Sequence, residues 1–482
     1  MEIKRILFIQ RVPFTYSGVL VLCAMLKQHG KECHVIVTTL EKENGIKKEI
    51  NRIKPDLFCI SALSNERNWA KTTASALKEQ HSQIPIVLGG THAILYPEDA
   101  ISINGVDYVC AGEGEKALYD LVKHLETAEN STCKVQGIWS STVNNEIVRN
   151  GVPELATDIS QYQEDRSLYY ERYPELKKDS MRFFYSSRGC PYKCSFCYNF
   201  QMQQIFKNKG SYIRHKEPEK LIQEIETEMT KAPFKYIFFV DDLFTINKQW
   251  LKEFSNLYQK RVNIPYCCNT RPEFAKEEIF SDLKESGCDR VGFGVESGNE
   301  DLRFKVLNKK VSNDDFKRLS QMAKKYGIKI QTFNIFALPT ETVENAFETL
   351  ELNAELQPDV ISSSIYMPFP GTSLCDLAIK EGILPASFSF DDLPSSFHRK
   401  SLLKAPMEKQ QLVHKIHYFA VKYPNTIPWF KKLINSDNGF IKLITPPIFL
   451  VIFLFSYVTR FKGEGNSYWR ALKFLLKFRK AY

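Results

Sequence analysis

Short apolar runs alternate with amphipathic stretches along most of the chain. Over the first 125 residues the runs ILFIQ from Ile6, HVIVTT from His34, LFCIS from Leu57, IPIVLGG from Ile84 and VDYVCAG from Val106 predict strands. Between them VLVLCAMLKQHG and AKTTASALKEQ carry apolar residues at helical spacing, and Gly30 closes the first as a C-cap. Strands alternating with helices at this spacing imply a parallel sheet covered on both faces, with ligands at the carboxyl ends of its strands. A weak hairpin pattern follows around GIWSSTVNNEIV, with Asn144-Asn145 as its turn, and then a polar, Tyr-rich connector.

From Phe183 the alternation resumes. RFFYSS, KYIFFVDD, IPYCCNTR, RVGFGVES, KIQTFNIFALP and VISSSIYMPFP read as strands, separated by amphipathic helices such as PEKLIQEIETEM and NDDFKRLSQMAKKYG. Serial βα units of this kind close, fully or partly, into a barrel whose active site lies where the strands end. The fold class is therefore α/β: a Rossmann-like domain over residues 1–140, a linker over 141–180, a full or partial TIM-type barrel over 181–385, and a helical C-terminal region over 386–482. In that last region the stretch from Leu443 to Thr459 is uncharged, and Pro446-Pro447 interrupts its start.

Composition changes the picture in two places. The net charge of +9 is mostly local, because residues 460–482 alone carry a net of +6. The body of the protein is nearly neutral, so no general nucleic-acid-binding surface is expected. The start MEIKRILFIQ lacks a basic region followed by a long apolar run, so no secretory signal and a cytoplasmic chain are expected. The chain has 12 cysteines, and nine of them (Cys23, Cys33, Cys59, Cys110, Cys133, Cys267, Cys268, Cys288 and Cys375) lie scattered among apolar neighbours and read as small buried hydrophobes. The remaining three, Cys190, Cys194 and Cys197, stand in the segment CPYKCSFC after the first barrel strand.

Three thiolates at C-x3-C-x2-C spacing reach three corners of a [4Fe–4S] cubane, where an ordinary ferredoxin cluster takes four cysteines. The next cysteine is Cys267, so the fourth iron is left for an outside ligand. A structural zinc site asks for four protein ligands in pairs, and no such pairing stands nearby.

The segment SSRGCPYKCSFCYN resembles the cluster motif of the radical S-adenosylmethionine (SAM) superfamily, and the likeness extends over about residues 180–385. That resemblance implies that SAM chelates the open iron and is cleaved by the reduced cluster to a 5′-deoxyadenosyl radical. It implies SAM contacts from Phe196 and Tyr198, from Asp241 and Asp242 at the second strand end, from Glu296 and Ser297 in Gly294–Gly298, and from Pro339 and Thr340 in Leu338–Glu341. Pro368–Thr372 resembles the turn after strand six of cobalamin-dependent members. Read without the resemblance, Asp241 and Asp242 serve as helix caps, and Glu296 pairs with Arg271 or Arg303.

The N-terminal domain resembles the cobalamin-binding domain in front of class B radical SAM methylases. The matching residues are Pro55-Asp56, Ser61, Gly89-Gly90-Thr91-His92 and Gly112-Glu113-Gly114-Glu115, of which Ser61, Gly89, Gly90, Thr91, Gly112, Glu113 and Gly114 are the implied cobalamin contacts. Many such domains carry Asp-x-His-x-x-Gly after strand one, whose histidine ligates cobalt. Here the loop reads Gln10–Gly18 without Asp or His, so cobalt is expected to be held without a protein imidazole, and His92 reads as a turn residue.

The resemblance thus implies a cobalamin-dependent radical SAM methylase acting on an unactivated carbon of a small-molecule or lipid substrate, fed electrons by a flavodoxin or ferredoxin. The alternatives are an oxidative cyclase or rearrangement enzyme, and a non-catalytic cobalamin or iron–sulfur sensor. The basic run RALKFLLKFRK behind the uncharged stretch suits peripheral contact with the inner face of a membrane, or equally an ordinary helix packed on the barrel.

Overall fold

The computed structural model describes residues 2–127, 132–141, 146–394, 400–404 and 407–463. The Asn144-Asn145 turn and the RALKFLLKFRK run lie outside them.

The first sheet has seven strands: β1 (Arg5–Gln10), β2 (Glu32–Val37), β3 (Leu57–Ser61), β4 (Ile86–Gly89), β5 (Tyr108–Cys110), β6 (Ile138–Ser141) and β7 (Ile147–Arg149), in the order β2-β1-β3-β4-β5-β6-β7. The first five pair in parallel, and β6 and β7 continue the sheet antiparallel. The strand order reverses at β1 and β3, as in doubly wound folds. Near-continuous burial of RILFIQ and LFCIS follows from helices on both faces. Gly30 closes the helix Ser17–Gln28 in a left-handed conformation (φ 76°), as expected. The expected boundary at residue 140 falls inside this sheet, because the strand that Trp139 and Ser140 bond to lies beyond it.

The second sheet takes β8 (Met181–Phe184). A small pair, β9 (Ser187–Arg188) with β10 (Arg214–His215), stands apart from it. The sheet continues with β11 (Tyr236–Phe239), β12 (Tyr266–Asn269), β13 (Cys288–Glu296), β14 (Lys329–Phe336) and β15 (Val360–Ile365). Its order is β15-β14-β13-β12-β11-β8, an open parallel half-barrel built from all six expected runs. Alternating burial on β14 separates Ile330, Thr332, Asn334 and Phe336, packed beneath the outer helices, from the partly accessible Gln331, Phe333 and Ile335.

Packing divides the chain into two compact units. One comprises residues 1–191 with 198–238, and the other residues 192–197 with those from 239 onward. This departs from the expected partition, since β8, β9, β10 and most of β11 cluster with the first sheet.

At the C-terminus the helix Glu408–Lys422 packs on the helix Val343–Leu356, and Gly439–Gly463 packs on Glu408–Lys422. Contrary to expectation, the last of these runs through Pro446 and Pro447, forgoing two intrahelical hydrogen bonds. Among the described residues no single helix is long and apolar enough to cross a membrane; Pro424–Asn435 and Gly439–Leu454 pass such a test only as a pair bent by 113°.

Candidate radical and corrin site

The cysteine loop is placed by its neighbours in sequence. β9 delivers Arg188 and Gly189 immediately before Cys190, and the helix Tyr198–Ile205 begins immediately after Cys197. Gly189 adopts φ 92°, and a Cβ there would lie 2.3 Å from the Tyr212 carbonyl oxygen, so only glycine fits. Gln203 Nε2 donates to the Cys190 carbonyl at 2.7 Å.

In the other unit Cys197 N–H donates to the Cys194 carbonyl (3.1 Å), which makes the two cysteines ends of one turn. Loops after the strands hold that turn. Ser195 donates its N–H to Leu307 O (3.0 Å) and its hydroxyl to Val306 O (2.6 Å), Asn308 Nδ2 donates to Lys193 O (2.8 Å), and Leu374 N–H donates to Ser195 O (3.1 Å). Cys194 is buried, while Cys190 and Cys197 are partly accessible, and all twelve cysteines are free thiols. The nine scattered cysteines are buried, as their apolar neighbours imply. Among the described residues no three His, Cys, Asp or Glu side chains converge as a single-ion site. A cubane makes no such demand, since each thiolate takes a different iron.

The barrel strand ends hold the other expected SAM residues. Asp241 is buried and Asp242 exposed. Neither caps the next helix: that is done by Asn247, whose Oδ1 accepts the Trp250 N–H at 3.0 Å. Glu296 pairs with Lys309 Nζ (3.0 Å), whose ammonium also donates to Gly294 O (2.5 Å). The simple pairing of Glu296 with Arg271 or Arg303 is thereby corrected. Arg303 is fully buried and instead donates to Ser297 O (2.5 Å), Val311 O (2.9 Å) and Asn313 Oδ1 (2.7 Å). Ser297 is itself wholly buried, accepting the Asn299 N–H on its hydroxyl. Phe196 packs against the core under β14 and β15, Pro339 is buried, and Tyr198 and Thr340 are exposed.

Three non-glycine residues at these strand ends are left-handed: Glu296 (φ 65°), Ala337 (φ 57°) and Thr340 (φ 63°). Such backbone costs on the order of 1–2 kcal/mol per residue and concentrates at ligand sites.

Sequence reading missed Asn269 and Lys309, and named Arg271 only as a partner for Glu296 and Glu341 only within Leu338–Glu341. Asn269 Nδ2 donates to Asp241 O (3.0 Å), while its Oδ1 is buried without a donor. The side chain stands over Gly292, where a Cβ would lie 2.8 Å from that oxygen. An orphaned buried acceptor beside a main-chain carbonyl and a glycine-lined strand fits an ammonium-bearing ligand such as SAM. The signal available in sequence was only that Asn269 ends a strand.

In the first unit the expected corrin segments come together with the elements around Cys190. Arg188 reaches Glu113 (2.9 Å) and Glu115 (2.6 Å), and Arg214 grips both oxygens of Glu113 (2.7 and 2.9 Å). Burial would raise the Glu113 carboxyl, but the Arg214 and Arg188 contacts hold it below its ordinary range. The Glu113 side chain is therefore committed to a clamp, and this turn can offer a ligand only its backbone. Tyr96 donates to Gln201 Oε1 (3.1 Å), which brings the segment after Gly89-Gly90-Thr91 beside the helix that follows Cys197. Ser61 and Gly89 end adjacent strands, Gly90 turns left-handed (φ 90°), and Gly112 and Gly114 flank Glu113.

His92 is wholly buried, with Nε2 2.9 Å from Asp99 and Nδ1 3.4 Å from Ser64, as suits a structural turn residue. After β1, Gln10 donates to Val12 O (2.7 Å) and Phe14 O (2.6 Å), and the Phe14 ring sits 4.5 Å from that of Phe183. These residues fit a corrin held by backbone and small side chains. They do not fit one ligated by a histidine from this loop.

A doubly wound sheet, a half-barrel and a three-cysteine loop between strand and helix define a two-domain α/β redox enzyme. Comparison with known proteins gives its family. Residues 13–122 match the B12 binding domain and residues 184–352 match the Radical SAM superfamily. The chain carries a B12-binding domain followed by a radical SAM domain, and it is a radical SAM enzyme. These domains imply a [4Fe–4S] cluster, SAM and cobalamin as its cofactors.

The chain is 29% identical over 348 residues to an uncharacterized methyltransferase of Pyrococcus horikoshii, covering 71% of this chain and 73% of that one. It is 26% identical over 343 residues to the anaerobic magnesium-protoporphyrin IX monomethyl ester cyclase of Rubrivivax gelatinosus, covering 69% of this chain and 60% of the relative. The cobalamin-dependent SAM radical enzyme OxsB, solved with aqua-cobalamin and SAM, shares the fold with TM-score 0.70 at 14% identity, covering 95% of this chain and 73% of that one.

Proposed function

We propose that the protein moves a methyl group from SAM, by way of cobalamin, to an unactivated carbon of a small-molecule or lipid substrate. The observation that carries this reading is the presence in one chain of a B12-binding domain and a three-cysteine radical SAM loop, with the Glu113 turn clamped to Arg188, two residues before Cys190. The relative named a methyltransferase supports it, and the relative named a cyclase does not favour the alternative.

When bound, the reduced cluster supplies the electron that cleaves SAM to a 5′-deoxyadenosyl radical, and cobalamin supplies the methyl group in transit. Cys190, Cys194 and Cys197 ligate three irons. Asn269 Oδ1, aided by Asp241, receives the SAM ammonium, and Phe196 and the Glu296 segment border its nucleoside. Lys309 holds Glu296 in place. Ser61, Gly89, Gly90, Thr91 and the Gly112–Gly114 backbone receive the corrin. Partly accessible Gln331, Phe333, Ser362 and Ser364 line the half-barrel on the substrate side.

The test is anaerobic reconstitution with iron, sulfide and cobalamin, followed by reduction in the presence of methyl-labelled SAM. Methyl transfer yields S-adenosylhomocysteine and label recovered with the corrin. Label that stays entirely in SAM and methionine, with 5′-deoxyadenosine formed, replaces this reading with the cyclase class.

We assign the C-terminal helix to an anionic membrane surface. Phe440, Leu443, Leu450, Val451 and Leu454 of Gly439–Gly463 are 45–74% exposed, on the side away from buried Thr445 and Phe449. The sequence that follows is strongly basic.

A further inference from the structure

Arg271 stands two residues past the end of β12 and turns back onto the cysteine loop. Its guanidinium carbon lies 3.5 Å from the centroid of the Tyr192 ring, inside the interval between Cys190 and Cys194. Nη1 points at Cys194 Sγ, 4.0 Å away. Nη2 and Nε are held by Glu273 Oε1 at 2.8 and 3.2 Å. The Arg271 side chain is 12% exposed and that of Glu273 39%. The cation is thus withdrawn from water beside a thiol, while its counter-ion sits in reach of solvent.

An ordinary surface ion pair has no reason to bring a third nitrogen to a cysteine. A guanidinium keeps its proton throughout the usable pH range, so it presents a constant charge and a fixed donor fork. Reduction of a [4Fe–4S]2+ cluster to the 1+ state adds one negative charge to the thiolate-bound unit. Net charge, hydrogen bonds to the sulfurs and solvent exposure set the potential of that couple. A buried N–H donor and positive charge at one ligand sulfur favour the reduced form, and a partly solvated carboxylate moderates the effect.

We propose that Arg271, tethered by Glu273, is the positioning residue that raises the reduction potential of the cluster and so eases its reduction by a low-potential electron donor. The inference rests on the cluster assignment made above for Cys190, Cys194 and Cys197. The electron comes from the external reductant, a flavodoxin, ferredoxin or dithionite; Arg271 exchanges neither proton nor electron.

The experiment is an EPR-monitored redox titration of the reconstituted full-length protein, with iron and sulfide counted per chain. Arg271→Met moves the midpoint to more negative potential, so that less cluster is reduced at a fixed applied potential. Arg271→Lys, which keeps the charge but loses the fork and the stacking on Tyr192, moves it less. Glu273→Gln moves it the opposite way, because it unmasks the guanidinium. A residue that merely braced the loop would change cluster retention and leave the midpoint alone. Should Arg271→Met fail to retain iron, the opposite shift in Glu273→Gln decides the matter. Full iron content with unmoved midpoints in both variants overturns this inference while leaving the cluster intact. A wild-type protein that takes up no four-iron cluster overturns the functional reading, and this inference with it.

Discussion

Glu341 is a single buried carboxyl whose environment makes a solution prediction. Its Oε2 accepts the Ala337 N–H at 2.6 Å, and its Oε1 has no donor. Burial outweighs the backbone donors of Ala337 and Leu338 and pushes the carboxyl from the ordinary 4.5 up to about 8. In the folded protein the group is therefore protonated at neutral pH, whereas in the unfolded chain it is ionised. Between those two values the folded state binds the extra proton, so stability falls as pH rises through this window, by about 1.4 kcal/mol for each unit of pKa displacement. Thermal melts of the apo protein in weakly acidic and weakly alkaline buffer are expected to separate more for wild type than for Glu341→Gln, which keeps an oxygen for Ala337 and cannot ionise. Equal separation in the two proteins would refute the assignment. The sequence offered Glu341 only as part of Leu338–Glu341; that it is buried, and that Gln410 of a distant helix donates its Nε2 to the Glu341 main-chain carbonyl at 2.7 Å, are tertiary facts.

At the scale of elements, the small β9–β10 pair decides where Cys190 stands. Arg214 and His215 bond back to Arg188 and Ser187, and the tightness of that pairing is what forces the left-handed Gly189 against Tyr212. Gly189→Ala adds a Cβ 2.3 Å from a carbonyl oxygen on an unfavourable backbone. We expect a cost above about 2 kcal/mol and iron retention after reconstitution reduced several-fold, read by iron content and visible absorbance. Retention equal to wild type would show that the pair does not position the loop. The longer elements were legible in sequence because periodicity is local: all six barrel runs and the first five strands form where their patterns place them. β9 and β10 escaped that reading because two-residue strands have no period. The continuation of the first sheet into β6 and β7 was read as a weak hairpin, and only its pairing to β5 makes it part of the domain.

At the scale of the whole molecule, the exposed apolar side of Gly439–Gly463 and the basic sequence after it lead to a binding measurement. Co-sedimentation with vesicles containing phosphatidylserine is expected to exceed that with neutral phosphatidylcholine vesicles and to fall with added salt. Replacing Leu443 and Val451 together by Glu removes two apolar side chains from the contact. Each contributes about 1.5–3 kcal/mol when fully buried, so binding should weaken by at least about tenfold. Wild-type protein that ignores anionic vesicles would instead leave this helix as packing on Glu408–Lys422.

The sequence by itself determined the α/β class, the order of a Rossmann-like domain and a half-barrel, and three thiols at C-x3-C-x2-C spacing. These follow from periodicity and from spacing along a few consecutive residues. Tertiary structure decided which side chains meet across segments. Lys309 for Glu296, Arg188 and Arg214 for Glu113, Asn269 over Gly292 and Arg271 at Cys194 are each partners from remote segments. Charge pairing and burial depend on distance through space, and the chain order of these residues carries no record of it until the strands have packed.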